Sequence, residues 1–321
     1  MKPIYTVTLL AVLLASLSAL QAAESPAPLA NPERMPVFSW DHVPLYVHIR
    51  KDTAFTDEEI KYLATFSLVT FEKATGHTDS GSVEVGTLKA ARVVKAINPD
   101  TKILYYCNVI IHYGGYAANA SIENIPGAFL VGRDGNDKLI RNKIQAYDLT
   151  NPAVRNWWIA AVKDVCSDPV IDGVFLDGVV KVLEPVFLKG VITPEKKAAR
   201  QGFIVAYTCG LGRNRQDADE TQRSAASNNN RVRRGKDAQG RFDYQLAIFL
   251  ICAEKYSYFD LKDGYDAKLS KTWLTRRADY DSPLGPPKGP AVRDGYTYTR
   301  EFNHVSIQLD IENETASIVW K

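Results

Sequence analysis

The stretch "VIDGVFLDGVV", residues 170–180, carries two aspartates on one apolar run, each followed by glycine. Asp172 enters the run and Asp177 leaves it, sharing a face with Phe175. Three other short apolar runs place polar groups in the same way. "PLYVHIR" (44–50) has Leu45, Val47 and Ile49 on one face and Tyr46, His48 and Arg50 on the other. "SLVTFEK" (67–73) sets Leu68, Thr70 and Glu72 against Val69 and Phe71, and "KILYYCNV" (102–109) puts Tyr106 and Asn108 together. A strand buried on both faces for structure alone reads as nearly continuous Val, Ile and Leu. These four instead gather polar side chains on one face, late in the strand.

That set has a chemistry. Two carboxyl groups suffice to cleave a glycosidic bond, one as acid and one as base or nucleophile. Aromatic faces pack on the C–H surfaces of sugar rings, while amides and charges take up hydroxyls. Asp177 is the candidate nucleophile or base and Glu72 the candidate acid. His48, Arg50, Asn108, Tyr106, Tyr113 and Tyr46 are the candidate substrate-binding residues, with Tyr116 nearby. Each has a structural alternative. Glu72 would pair with Arg50 or Lys73, His48 would be a core histidine, Asn108 would cap the next turn, and Asp177 before Gly178 would cap a turn. Asp172, at the entrance of its strand, reads as a turn or cap residue.

The elements that must position these residues alternate. Thr56 and Glu59 in "FTDEEIKYLATF" make a capping box for a helix. "VGTLKAARVVKAINPD" is a helix stopped at Asn98-Pro99, and "TNPAVRNWWIAAVKDVC" one with Asn151 as N-cap and Pro152 at its first position. "AFLVGRDGNDKLIR" predicts a small hairpin around Asp134-Gly135. "TPEKKAARQG" predicts a short helix, "FIVAYTC" (203–209) and "EKYSYF" two more strands, and "FDYQLAIFLICA" a buried helix. Strand and helix in alternation imply a parallel sheet, doubly wound or a TIM-type (β/α)8 barrel. The first strand runs into "HIRKDTAF" with no glycine-rich phosphate turn, so the barrel is the better fit. Barrel active sites form at the C-terminal ends of the strands, where the polar groups sit. The predicted organisation is a leader at 24–36, a barrel domain over 37–281 with a polar, flexible insert at 210–241, and an antiparallel β segment over 282–321.

Composition narrows the rest. The 321 residues carry a net charge of +2, which gives no global attraction to nucleic acid or an anionic membrane. Residues 1–23 read as a secretory signal peptide, with Lys2 ahead of an apolar Val7–Leu20 segment and small residues at Ala22 and Ala23. The expectation is a secreted or periplasmic protein with no membrane span after cleavage. Cys107, Cys209 and Cys252 lie in apolar stretches and Cys166 late in a helix, which favours buried free thiols over disulfides. No CxxC pair or His/Cys cluster points to a metal, and no cofactor motif is present.

The runs "FTDEEIKYLATFSLVTFEK", "TKILYYCNV", "YDLTNPAVRNWW", "IDGVFLDG" and "ADYDSPLGPPKGPAVRDGYTYTREF" together resemble the glycoside-hydrolase-like barrel proteins of exported bacterial origin. The resemblance spans most of residues 40–209 and 242–320. "DGVFLDG" is also similar to the fourth-strand motif of α-galactosidase-type and polygalactosaminidase-type barrels, where the strand-end aspartate, here Asp177, is a catalytic carboxylate. The resemblance implies a carbohydrate substrate. It also sets "FIVAYTC" and "EKYSYF" as the last two of eight strands, so that two strand-helix units and the usual second carboxylate are missing, unless Glu72 or Asp260 substitutes. Weak strands in 110–147 or 179–192 are the other possibility. An incomplete barrel would be marginal or oligomeric, and the alternative function is an inactive, shortened barrel that binds glycan or a cell-envelope partner.

Overall fold

The computed structural model describes residues 35–131, 135, 139–140, 143–178, 205–209, 238–270 and 272–321. The expected signal peptide, the helix in "TPEKKAARQG", the 179–192 run and most of the polar insert lie outside the described residues.

Strands β1 (Tyr46–Ile49), β2 (Leu68–Phe71) and β3 (Lys102–Asn108) form in sequence, joined by helices α1 (Asp57–Leu63), α2 (His77–Ser80) and α3 (Val83–Ile97). The α1 capping box is complete: the Thr56 hydroxyl accepts from the Glu59 N–H, and the Glu59 carboxylate accepts from the Thr56 N–H at 2.7 Å. The chain continues through a short helix α4 (Asn119–Ile122), a hairpin of β4 (Leu139–Ile140) and β5 (Ile144–Gln145), then helix α5 (Pro152–Cys166) and strand β6 (Gly173–Asp177). Asn151 caps α5 by accepting from the Ala153 N–H, with Pro152 at the first position. Strand β7 (Val205–Cys209), helix α6 (Ala238–Cys252) and strand β8 (Ser257–Leu261) follow.

All pairings among β1, β2, β3 and β6, and between β7 and β8, are parallel. A parallel bridge from Leu45 to Phe259, backed by the Phe259 N–H donating to the Pro44 carbonyl at 2.8 Å, sets β8 beside β1. The order is therefore β7-β8-β1-β2-β3-β6, six parallel strands among the described residues. Within those residues β6 and β7 are not paired, so no closed barrel is seen. The sheet nonetheless curls. His48 on β1 lies 4.7 Å from Phe175 on β6, ring centre to ring centre, although β2 and β3 intervene. Only a strongly curved sheet brings inward side chains of such strands together.

The outward face is the core expected of a helix-covered sheet. Val47, Ile49, Val69, Phe71, Ile103 and Tyr105 pack with residues of α1 and α3. Gly86 on α3 runs so close to the loop after β2 that an added Cβ would stand 2.3 Å from the Thr75 carbonyl oxygen. Asp172 belongs to this structural side. It accepts from the Ile103 N–H at 2.8 Å and pairs with Lys95 (2.8 Å) and Lys102 (3.5 Å), fixing the entrance of β6 against β3 and α3.

The turn expected at Asp134-Gly135 falls mostly outside the described residues; of it only Gly135 is described, at φ +79°. Around it Phe129 bridges to Tyr147 and Ile111 to Ala146, and Leu139 pairs with Gln145. Ile122, Ala128, Tyr147 and Val154 pack into one small core beside these pairings. Two expectations need correction. The polar insert ends earlier than 241, because α6 already begins at Ala238. Cys107 and Cys166 are part-buried free thiols, but Cys252 is exposed at the last turn of α6.

Strands β9 (Val292–Asp294), β10 (Thr297–Glu301), β11 (Val305–Asp310) and β12 (Thr315–Trp320) form an antiparallel meander. Alternation buries Val305, Ile307 and Leu309 against Phe242, Leu246 and Leu250 of α6. Arg300 on β10 is buried and closes the C-terminus of α6, its guanidinium donating to the carbonyls of Leu250, Ile251 and Ala253 at 3.1, 3.1 and 2.6 Å. One side chain thus ties the sheet to the helix that precedes β8.

Candidate functional site

The C-terminal ends of β1, β2, β3, β6 and β8 open on one mouth. Register aligns Asn108 with Asp177 on adjacent strands. The Asn108 amide donates to Asp177 Oδ2 at 2.7 Å, and the Tyr106 hydroxyl donates to the same oxygen at 2.5 Å. Asn108 also caps the following turn, since its Oδ1 accepts from the N–H groups of Ile110 (2.9 Å) and Ile111 (2.7 Å). One amide thus caps the turn through its oxygen and holds Asp177 through its nitrogen. Asp177 is half-buried, and among the described residues its carboxylate caps no turn and has no ion-pair partner. Gly178, which follows it, takes φ +81°, the left-handed conformation that glycine adopts freely.

Glu72 is the other carboxylate of the pair sought. It is buried, with one oxygen on Arg50 (3.2 Å) and the other on Lys73. Arg50 also reaches Asp266 at 3.7 Å, and Lys73 lies over the rings of Tyr113 (4.9 Å) and Tyr106 (5.5 Å). Ala74, next in sequence, adopts φ +72°, a strained value for a residue with a side chain, in the turn that follows Glu72 and Lys73.

His48 is 6% exposed and its Nε2 has no hydrogen-bond partner. Rings of Phe175, Tyr265, Tyr106 and Tyr46 surround it at 4.7, 5.0, 5.9 and 6.2 Å. Burial, followed by the nearby cations Lys262, Lys73 and Arg50, holds its pKa well below the usual histidine value, so the imidazole is neutral. Tyr106 is buried too, its ring stacked on Phe175 at 6.0 Å. Burial and its bond to Asp177 push the phenol far above its ordinary range, so it stays protonated as a donor. With both faces occupied, Tyr106 holds Asp177 and offers no open platform. Tyr46 lies deeper still, clustered with Leu68 and Tyr258 beneath the mouth. Tyr113 is half-buried beside Lys73.

Sequence reasoning named Lys73 only as a partner for Glu72 and Asp260 only as a substitute carboxylate, and it missed Lys262 and Tyr265 on the β8 side. Asp260 is buried and ion-paired to Lys262 at 2.6 Å, and Lys262 also donates to the His48 carbonyl and covers the Tyr265 ring at 4.4 Å. The signal was present in "YFDLKDGYD", where Tyr258, Asp260 and Lys262 continue the same alternation past the predicted strand end. Beside Asn108 a small solvent-open cleft, with a volume of about 20 Å³, lies between Tyr113, Tyr116, Trp157 and Trp158. Cys107 lines it with a thiol that burial pushes up to about 12, which removes it as a thiolate nucleophile. Among the described residues no group of His, Cys, Asp and Glu is arranged to hold a metal, and no helix is long and apolar enough to cross a membrane.

Fold and mouth define an α/β protein with a parallel sheet whose strand ends present, among the described residues, a carboxylate without an ion pair. Residues 95–206 and 208–306 match hypothetical glycosyl hydrolase family 15, and the chain belongs to that family. No curated protein matches the sequence. Among solved structures, the noncanonic maltogenic α-amylase AmyB from Thermotoga neapolitana is similar at 9% identity and TM-score 0.44, covering 84% of this chain and 86% of its own. The α-amylase from Geobacillus thermoleovorans complexed with acarbose is similar at 11% identity and TM-score 0.43, with coverages of 84% and 86%. Likeness of this degree carries no argument about substrate.

Proposed function

We propose that the protein is an exported glycoside hydrolase with its reactive carboxylate at Asp177, in the mouth of a (β/α)8-type barrel that lacks two central units. The observation that carries this reading is the state of Asp177. Among the described residues it is a mouth carboxylate that no cation engages, and two neutral donors hold one oxygen and leave Oδ1 without a donor. A nucleophile or base needs that combination of fixed orientation and an available lone pair. His48, Arg50, Asn108 and Tyr113 surround the position a sugar ring would take, and Tyr106 and Tyr46 support them from below.

Glu72 is the proposed second carboxylate, yet both of its oxygens are occupied by cations. To act as general acid it must leave Arg50 or Lys73. That observation favours a second reading, a barrel that binds glycan without cleaving it. A panel of α-linked galactans, galactosaminoglycans and plant glycans separates the two. Turnover by the wild type that disappears in Asp177→Asn supports the hydrolase. Calorimetric binding with no turnover supports the binding protein, and turnover indifferent to Asp177→Asn refutes the assignment of the site.

A further inference from the structure

The charges of the mouth are unevenly matched. Arg50 pairs with Glu72 and Asp266, Lys73 with Glu72, and Lys262 with Asp260, so each of these cations is already engaged by a carboxylate. Among the described residues, Asp177 is engaged only by the Tyr106 hydroxyl and the Asn108 amide, both neutral. Among the described residues, His48 Nε2, on an imidazole enclosed by aromatic rings, is a buried polar atom left without a partner there, as are the Tyr46 and Thr70 hydroxyls deeper in the sheet. Leaving such an atom unpaired is costly, so a hydroxyl or water that reaches it is rewarded. A second negative charge is not: it would have to draw Arg50, Lys73 or Lys262 away from a partner at 2.6–3.2 Å or closer.

We infer that the mouth selects its glycan by charge, accepting uncharged or amino-bearing sugar units and rejecting uronic acids and sulfated sugars. This rests on the reading of the mouth as a glycan site and narrows its substrate class. An ammonium group beside Asp177 would gain a partner, an uncharged hydroxyl would meet His48 and Asn108, and a carboxylate would meet like charge. In a half-buried site a like-charge contact of this kind lowers affinity by a factor of about ten to a hundred.

The test is calorimetry with pairs of oligosaccharides that share a backbone and differ in charge. Suitable pairs are oligogalacturonate and its methyl ester, chondroitin sulfate oligomers and their desulfated, carboxyl-reduced forms, and galactosamine oligomers and their N-acetylated forms. In every pair that binds, the less acidic member binds at least about tenfold tighter. The gap narrows as salt is raised, which the wild type alone reports, and it closes in Asp177→Asn. An acidic member binding as tightly as its neutral twin overturns the inference while leaving the glycan reading intact. So does a preference that survives both high salt and Asp177→Asn. Binding by no member of any pair refutes the glycan reading and the inference with it.

Discussion

The two aspartates of β6 should separate cleanly under mutation. Asp172 accepts from the N–H of fully buried Ile103 at 2.8 Å and pairs with Lys95 and Lys102. Asp172→Ala leaves that N–H unsatisfied, at about 1–3 kcal/mol. The two lysines are partly exposed, so solvent screening limits their share to about 0.5 kcal/mol each. The expected loss is about 3 kcal/mol. Asp172→Asn keeps an acceptor for the N–H and loses only the ion pairs, about 1 kcal/mol. Asp177→Asn keeps the oxygen that Tyr106 and Asn108 address, so its stability should stay within about 1 kcal/mol of wild type. For a chain of this size each kcal/mol moves the melting midpoint by roughly 2–4 °C. Calorimetric melts of the three variants should therefore rank Asp172→Ala lowest, by roughly 6–12 °C, with Asp177→Asn near wild type. Glycan binding should show the reverse order, retained in folded Asp172→Ala and changed in Asp177→Asn. Equal destabilisation by both aspartates, or loss of glycan binding in folded Asp172→Ala, would refute the division of the strand into a structural end and a functional end.

Arg300→Met should cost about 3 kcal/mol in urea titration, because it strips the carbonyls of Leu250, Ile251 and Ala253 of a buried charged donor; Arg300→Lys, lacking the fork, should recover less than half. Glu254 contributes little to that figure, being mostly exposed. Gly86→Ala should lose about 2–3 kcal/mol, since the new Cβ meets backbone at 2.3 Å and neither chain can yield without displacing the turn after Glu72 and Lys73. A melt indistinguishable from wild type would contradict that close approach. Stability should fall as pH drops below about 6.5, because the unfolded chain protonates His48 where the fold holds it neutral; above that pH the effect vanishes. His112, lowered by burial, acts in the same direction, so comparing melts of wild type and His48→Phe between neutral and acid pH isolates the His48 share. An unchanged acid slope in the variant would contradict the neutral buried imidazole.

Much of this protein was fixed by local chemistry. The caps at Thr56 and Asn151, the helix end at Asn98 and the parallel strand-helix alternation follow from short-range hydrogen bonding and periodicity. The period-two alternation alone placed His48, Glu72, Asn108 and Asp177 on one face, and it set Asp172 apart from Asp177. Three things needed the fold. The bridges of Ile111 to Ala146 and Phe129 to Tyr147, which join segments beside the β4–β5 hairpin, were not announced by any turn signal. Arg300 found its carbonyls 47–50 residues away, a pairing no local pattern announces. The distribution of charge in the mouth was decided by which strands the curled sheet brings together. Residue type made Glu72 and Asp177 equivalent, but two cations converged on Glu72 while two neutral donors met Asp177. A carboxylate's chemistry depends on what lies within a few ångströms of it, and those neighbours come from the ends of three different strands.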